Sequence, residues 1–230
     1  MLVWTPDTVR FQRDAARYGT YYETLAKRLA AYLPPDAHVC DAGCGLGYLS
    51  RALAPYCKRV TAIDSSASAL AVLREDTPDN VEIREADLFT LSPVGRYDAM
   101  VFCFFAAMDE ILLLAKKHCR GNVIVVKRGW TQHRFSPQTE LPRHNACEEA
   151  ERYLRTRGIP FLREELTLDM GQPFRSKEDA GRFFAAYGGA SVSLSDAEAR
   201  LVKTDDAAFP YYLPLKKPLG IFIFDGKDIP

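Results

Sequence analysis

The feature that most constrains the fold of this chain is a glycine-rich block near residue 45. Residues His38–Ser50 read His-Val-Cys-Asp-Ala-Gly-Cys-Gly-Leu-Gly-Tyr-Leu-Ser, with glycine at Gly43, Gly45 and Gly47. Alternate glycines suit neither a regular strand nor a helix interior, and glycine serves where φ is positive or where a ligand approaches backbone. The block predicts a buried strand, a tight turn and a helix start, with free backbone N–H groups facing a crevice. We expect a small, polar and partly anionic ligand there.

Three interpretations of this block are open. The simplest is a tight turn without a ligand. A nicotinamide or flavin site would need Gly-x-Gly-x-x-Gly, whose second glycine admits a pyrophosphate. This chain instead has Gly-x-Gly-x-Gly preceded by an acid, Asp41. The arrangement of Asp41, Gly43, Gly45 and Gly47 resembles the glycine-rich motif of class I S-adenosylmethionine-dependent methyltransferases. That resemblance implies an α/β fold and S-adenosylmethionine as the methyl donor.

The rest of the chain alternates apolar strands with helices. The first five predicted strands are 38–42, 59–64, 81–87, 97–105 and 122–127. This alternation predicts a parallel sheet with helices on both faces. The rhythm breaks after residue 129, and two further strands are predicted at 161–170 and 220–225. With the resemblance, they imply a seven-stranded, mostly parallel, doubly wound sheet that ends in an antiparallel C-terminal hairpin.

The predicted organisation is an N-terminal helical lid over residues 1–35, followed by a methyltransferase domain over 36–230. A loop excursion at 129–146 and an insertion at 172–217, between the last two strands, depart from the plain fold. We expect the insertion to cover the substrate side or to make a dimer contact. Its predicted helices are 176–187, opened by a Ser-x-x-Asp box, and 195–203.

Composition narrows the class of protein. The chain has 230 residues, 47% of them hydrophobic, and its 30 Lys and Arg balance 30 Asp and Glu. Neutral charge does not favour binding to nucleic acid through phosphate contacts. The sequence has neither a signal-peptide pattern nor an apolar run long enough to span a membrane. The cysteines lack metal-ligand spacing and suit buried thiols. We expect a cytoplasmic monomer or homodimer without a metal site or a membrane partner.

Acids at strand ends are the strongest site candidates outside the glycine block. Asp64 ends the second predicted strand, where a carboxylate can accept hydrogen bonds from ribose hydroxyls. Alternatively, it caps the next helix, a role that Ser65 or Ser66 could also fill. The resemblance implies that Asp87 accepts the adenine amine and that Leu88 lies against the base. The other interpretation of Asp87 is a solvated acid at a strand end.

The remaining site predictions are less specific. Asp41 orients the turn amides or receives the cofactor's ammonium group, and Cys44 is a small side chain in the turn rather than a nucleophile. Phe102, near the end of the fourth strand, is expected beside the transferable methyl, and Tyr18 is expected to fold over the cofactor. The predicted cofactor-binding residues are Asp41, Gly43, Cys44, Gly45, Gly47, Asp64, Ser65, Asp87, Leu88, Phe102 and Tyr18.

The methyl acceptor is the least determined part of the prediction. Neutral charge and the aromatic end of the fourth strand favour a small molecule, and no Asn/Asp-Pro-Pro-Tyr/Phe tetrapeptide stands there. His133 and His144 are weak candidates for a general base. A non-catalytic cofactor-binding scaffold is the alternative if Phe104 and Phe105 fill the methyl-facing space. An RNA or protein acceptor would be favoured by a basic groove built from Arg128, Arg134, Arg143, Lys216 and Lys217.

Overall fold

The computed structural model describes residues 4–93, 96–130, 146–188, 195 and 198–230. Contacts divide the chain into two compact units. The larger unit contains the described residues of 22–130, 142–166 and 218–230, and the smaller unit contains those of 1–21 and 167–217. The chain therefore does not divide at the predicted boundary near residue 35, because the first N-terminal helix groups with the insertion and the second with the sheet. The lid role of residues 1–35 stays a prediction.

Seven strands form the main sheet and three form a second sheet. The main sheet has the fold class that the sequence predicts. The strands in chain order are β1 (His38–Ala42), β2 (Arg59–Asp64), β3 (Val81–Glu85), β4 (Tyr97–Cys103), β5 (Cys119–Arg128), β6 (Leu162–Asp169), β7 (Gln172–Phe174), β8 (Val202–Lys203), β9 (Tyr211–Leu213) and β10 (Lys216–Asp225). The main sheet has the order β3-β2-β1-β4-β5-β10-β6. The first five strands pair in parallel, and β10 pairs antiparallel with β5.

The helices begin at local signals that the sequence carries. They are α1 (Pro6–Tyr18), α2 (Tyr21–Ala30), α3 (Tyr48–Leu53), α4 (Ala67–Arg74), α5 (Met108–His118), α6 (Cys147–Thr156) and α7 (Lys177–Gly188). The hydroxyl of Thr5 accepts the N–H of Thr8 at the start of α1, and Ser66 caps α4 in the same way. Ser176 accepts the N–H of Asp179 at 3.1 Å, as its box predicts. In the described part of the chain, no helix combines the length and apolar character that membrane crossing requires.

The core of the larger unit follows from its parallel strands. Residues 123–126 of β5 are completely buried, as expected for a strand covered on both faces. Burying each such apolar side chain stabilises the fold by roughly 1.5–3 kcal/mol. The register pairs Ala42 of β1 with Ile63 of β2 and with Phe102 of β4. The carboxyl ends of these three strands therefore meet at one edge, where the strand order reverses and where open α/β sheets bind ligands.

The smaller unit contains a sheet that the sequence analysis missed. Strands β7, β9 and β8 form it in that order, and β8 pairs antiparallel with β9. Val202 and Lys203 thus lie opposite Tyr212 and Tyr211, so the predicted helix over 195–203 is wrong at its end. β-branched and aromatic residues are favoured in such cross-strand pairs.

Helix α1 is fixed to the insertion within the smaller unit. Its buried Phe11 packs against Phe174 and Phe183. Arg10 donates to both carboxylate oxygens of Asp179, at 3.3 and 2.7 Å. Contacts of this long sequence separation join α1 and the insertion into one compact body.

Candidate functional site

The three glycines of the turn after β1 all adopt left-handed backbone conformations. Their φ angles are 69° at Gly43, 54° at Gly45 and 75° at Gly47, which only glycine adopts at little cost. The N–H groups of Gly43 and Cys44 both donate to the carbonyl of Ile63, at 2.9 and 3.0 Å. The prediction of free N–H groups is therefore wrong for these two residues, because the turn is bonded to the end of β2.

Asp64 joins the turn after β1 to the turn after β2. Its Oδ2 accepts the N–H of Gly45 at 2.8 Å and its Oδ1 accepts the N–H of Ser66 at 2.8 Å. Ser66 accepts the N–H of Ala69 at 3.3 Å and therefore caps α4. Its neighbour Ser65 is exposed. An ionised carboxylate has about four lone-pair sites. Asp64 can therefore accept hydroxyl hydrogen bonds while it holds both turns.

Asp41 is buried beneath the glycine turn, with 1% of its surface exposed. Its Oδ2 accepts the hydroxyl of Ser50 at 2.5 Å, which joins β1 to α3. Burial raises the pKa of Asp41 to about 6, against the opposing effect of the Ser50 hydrogen bond. The predicted role of orienting the turn amides is wrong for Gly43 and Gly45, whose N–H groups donate to Ile63 and Asp64. The predicted contact with an ammonium group stays a prediction.

Close packing explains why two positions of the turn are glycine. A Cβ on Gly43 would lie 2.3 Å from the ring of Phe105, and one on Gly47 would lie 2.5 Å from the side chain of Leu73. Gly47 thus allows α4 to approach α3. Burial raises the pKa of the Cys44 thiol well above its usual value. This agrees with the prediction that Cys44 is not a nucleophile.

The two predicted adenine contacts beyond the end of β3, Asp87 and Leu88, differ in exposure. Asp87 is exposed, and its Oδ1 accepts the N–H of Phe89 at 3.0 Å. Leu88 is 3% exposed and belongs to the core. The exposed aromatic residue is Phe89, whose ring lies 6.1 Å from that of Phe105. The sequence analysis missed Phe89, although it follows Leu88 directly. The adenine contacts of Asp87 and Leu88 stay predictions.

The end of β4 presents different aromatic residues from the one predicted. Phe102 is completely buried in the core, so its ring does not line an accessible crevice. Phe104 and Phe105 follow the strand and are partly exposed, and the ring of Phe104 lies 6.3 Å from that of Trp130. The sequence predicts a strand that reaches residue 105, but β4 ends at Cys103, so Phe104 and Phe105 lie in the segment beyond the buried strand.

The remaining predicted residues lie elsewhere. Tyr18 belongs to the smaller unit, where its ring contacts those of Phe209 and Tyr212, at 5.8 and 5.1 Å. Its lid role stays a prediction. The histidine candidates, His133 and His144, lie outside the described residues, as do Arg134 and Arg143 of the basic-groove alternative. Within the described ranges, no three His, Cys, Asp or Glu side chains are grouped closely enough to hold a metal ion.

Comparison with known proteins agrees with this geometry. The family model of the methyltransferase domain matches residues 39–120, from β1 to the start of β5. A search of curated proteins finds no match. Among solved structures, a protein from Anaeromyxobacter dehalogenans proposed to be a type II methyltransferase is 20% identical, with a TM-score of 0.56 over 92% of this chain and 98% of that one.

Two more solved structures are similar. The YcgJ protein of Bacillus subtilis is 14% identical, with a TM-score of 0.55 over 89% of this chain and 97% of that one. A protein from Pyrococcus horikoshii proposed to be an RNA methyltransferase is 15% identical, with a TM-score of 0.50 over 90% of this chain and 82% of that one. At this identity the likenesses show the fold. Together with the family match over residues 39–120, they confirm the predicted resemblance to class I methyltransferases.

Substituting Gly43 tests the close packing of the turn against Phe105. We expect Gly43→Ala to lower the free energy of unfolding by about 2–4 kcal/mol, since positive φ and overpacking each cost one or more. The matched control is Gly158→Ala, at φ 67° with no atom within 4 Å of its Cβ, which should lose only about 1 kcal/mol. Urea denaturation measures both. Equal losses in the two variants would contradict the packing account.

The pKa of Asp41 predicts an unusual pH dependence of stability. Between the ordinary value of 3.8 and the folded value of about 6, the native state binds more protons than the unfolded state. Stability from this group therefore falls as pH rises through that window. Asp41→Asn should raise the free energy of unfolding at pH 7 by roughly 1–3 kcal/mol relative to wild type, and by much less at pH 4.

The control for Asp41 is Ser50→Ala. It removes the hydroxyl that donates to the carboxylate, so we expect lower stability at pH 7 and a steeper fall with rising pH. Denaturant unfolding at several pH values measures all three proteins. If Asp41→Asn and wild type differ by the same amount at pH 4 and at pH 7, the assignment of this pKa is wrong.

Proposed function

We propose that this protein transfers a methyl group from S-adenosylmethionine to a small-molecule acceptor. The observation that carries the proposal is the bond from the Gly45 N–H to the Asp64 carboxylate. The bond sets Asp64, the acid that we propose accepts the ribose hydroxyls, against the backbone of the glycine turn, inside a segment that matches the methyltransferase family model. The proposal thus rests on the residues of the turn as well as on the fold.

The charges near the turn fit this donor better than a dinucleotide. A pyrophosphate needs N–H groups or cations, yet the amides of Gly43, Cys44 and Gly45 donate within the protein. The acids next to the turn, Asp41 and Asp64, would repel phosphate. A ligand with a positive sulfur, an ammonium group and neutral ribose hydroxyls suits such acceptors. A turn flanked by acids therefore suits a positively charged sulfonium ligand.

Specific residues would hold each part of the donor. The backbone of Gly43 and Gly45 would contact the methionine part, Asp64 the ribose, and Asp87 the adenine amine. S-adenosylmethionine supplies a methyl group that the positive sulfur already activates. The protein therefore has to hold the reactants in line, which converts a bimolecular step into an almost unimolecular one.

Aromatic side chains at the end of β4 support a small acceptor. Phe104, Phe105 and Phe89 are at least partly exposed, and Trp130 lies beside Phe104. Aromatic faces attract a positively charged sulfur and bind planar or apolar molecules. The balanced charge of the chain gives no support for a phosphate-rich acceptor such as RNA.

A second candidate function is binding of the cofactor without turnover. One observation favours it: the ring of Phe105 occupies the space where a Cβ on Gly43 would lie. If this ring also fills the methyl-facing space in the liganded protein, an acceptor cannot approach. The protein would then act as a cofactor-binding scaffold or regulatory partner.

Replacing Asp64 tests the cofactor assignment. We expect Asp64→Ala to weaken binding of adenosylhomocysteine ten- to hundredfold in calorimetry, because hydrogen bonds to a charged acceptor contribute roughly 1.5–3 kcal/mol each. The control, Asp79→Ala, removes an exposed acid before the opposite end of β3 and should bind as wild type does. Thermal unfolding of each variant separates a binding loss from a folding loss. Unchanged affinity in folded Asp64→Ala would contradict the ribose role.

Transfer of a labelled methyl group distinguishes the two candidate functions. Protein incubated with methyl-labelled S-adenosylmethionine and pools of metabolites, RNA or protein should label a component of the metabolite pool. Heat-inactivated protein and Asp64→Ala are the controls. Label in RNA or protein would replace the small-molecule proposal. Binding of adenosylhomocysteine without labelling of any pool would favour the scaffold.

A further inference from the structure

Lys127 is a fully buried lysine at the end of the central strand β5. Lysine is almost never fully buried unless its ammonium group has partners. Its Nζ donates to the carbonyl of Ala106, at 2.7 Å, in the segment that connects β4 to α5. Burial lowers the pKa of Lys127 to about 8. The lysine therefore connects the interior of the sheet to the segment beyond its carboxyl edge.

The segment that Lys127 contacts has a strained backbone. Among the described residues, Phe104 and Ala106 are two of only three non-glycine residues with positive φ, at 55° and 60°. Such conformations persist only where the surroundings fix them, and they occur at functional sites. The N–H of Phe104 donates to Val126 at 3.1 Å, and that of Ala107 to Glu110 at 2.7 Å. The bond from Lys127 to the Ala106 carbonyl holds the segment between these two bonds.

The same segment covers the glycine turn. Phe105 stands between the two strained residues, and its ring contacts the backbone at Gly43. A carbonyl held at Ala106 therefore fixes the direction from which Phe105 approaches the turn. The position of this ring decides how much of the methyl-facing space is open. A substitution of Lys127 would therefore change that space indirectly, through Ala106 and the ring of Phe105.

We infer that Lys127 is a positioning residue of the methyltransferase site, which holds the segment from Phe104 to Ala106 in the conformation that sets Phe105 against Gly43. This inference rests on the proposed function, since it gives Lys127 a role at the methyl-facing side of the cofactor site. Lys127 itself is buried and donates to the Ala106 carbonyl.

The closing experiment uses hydrogen exchange, which needs no acceptor. In Lys127→Met, which replaces the ammonium group with an apolar end of similar length, the amides of Phe104 and Ala107 should exchange about tenfold faster than in wild type. Amides of β1 and β2 should exchange as they do in wild type. The control is Lys58→Met, at an exposed position before β2, which should leave exchange at residues 104–107 unaltered.

Lys127→Arg separates positioning from space-filling. It keeps the charge and the donor, so exchange at residues 104–107 should stay within about threefold of wild type. If Lys127 only fills space, methionine should preserve the segment better than arginine. Faster exchange in Lys127→Arg, or unchanged exchange in Lys127→Met, would overturn the inference. The first outcome does so even if the methionine variant does not fold.

Binding of adenosylhomocysteine keeps the two proposals distinguishable. Wild type that does not bind it would overturn the proposed function, and with it the role of Lys127 at this site. Where wild type binds, we expect Lys127→Met to bind within about threefold of wild type, because Asp64 and the glycine turn are intact. A loss as large as that of Asp64→Ala would also overturn the inference, since Lys127 would then support the whole cofactor site.

Discussion

The hydrogen bonds that join the turn after β1 to the end of β2 are the constraint on which the site depends. Asp64 holds Gly45 and Ser66 at 2.8 Å each, and the Ile63 carbonyl receives two further N–H groups from the turn. The two bonds to the Asp64 carboxylate are charge-assisted, and such bonds are roughly twice as strong as neutral ones. The glycine turn is therefore shaped by the neighbouring strand before any ligand arrives. A preformed turn loses little conformational freedom on binding.

Buried ionisable groups gather at the same edge of the sheet. Asp41 at the end of β1 and Lys127 at the end of β5 are both buried. Burial moves both pKa values towards neutrality, to about 6 and about 8. Each group has a hydrogen bond to a segment beyond the sheet, α3 or the turn before α5. Burial of a charged group carries a desolvation cost, and groups with such shifted pKa values cluster at functional sites.

The sequence predicts the first five strands, and the place of Asp64 at the end of the second, because these depend on local pattern. The apolar pattern of each strand, the spacing of the glycines and the acid at the end of a strand can each be recognised from a few neighbouring residues. Phe102 lies within β4, which ends at Cys103, whereas Phe105 follows it, and the sequence predicts the end of this strand at residue 105. The strand Val202–Lys203 is too short to show periodicity. The bonding of the turn amides to Ile63 and the grouping of α1 with the insertion are contacts between distant parts of the chain.

If the domain transfers a methyl group from an activated donor, as we propose, a fixed segment after β4 would matter more than an acid–base pair. The reaction depends on the alignment of three atoms, and a displacement of about 1 Å can cost a hundredfold in rate. A flexible segment beside the cofactor would spread Phe105 over many positions. Phe104 and Ala106, with left-handed backbones, and the bond from buried Lys127 to Ala106 flank Phe105 in this segment. Under the proposed function, the position of the Phe105 ring against Gly43 would decide between an enzyme, which an acceptor can enter, and a scaffold, which it cannot.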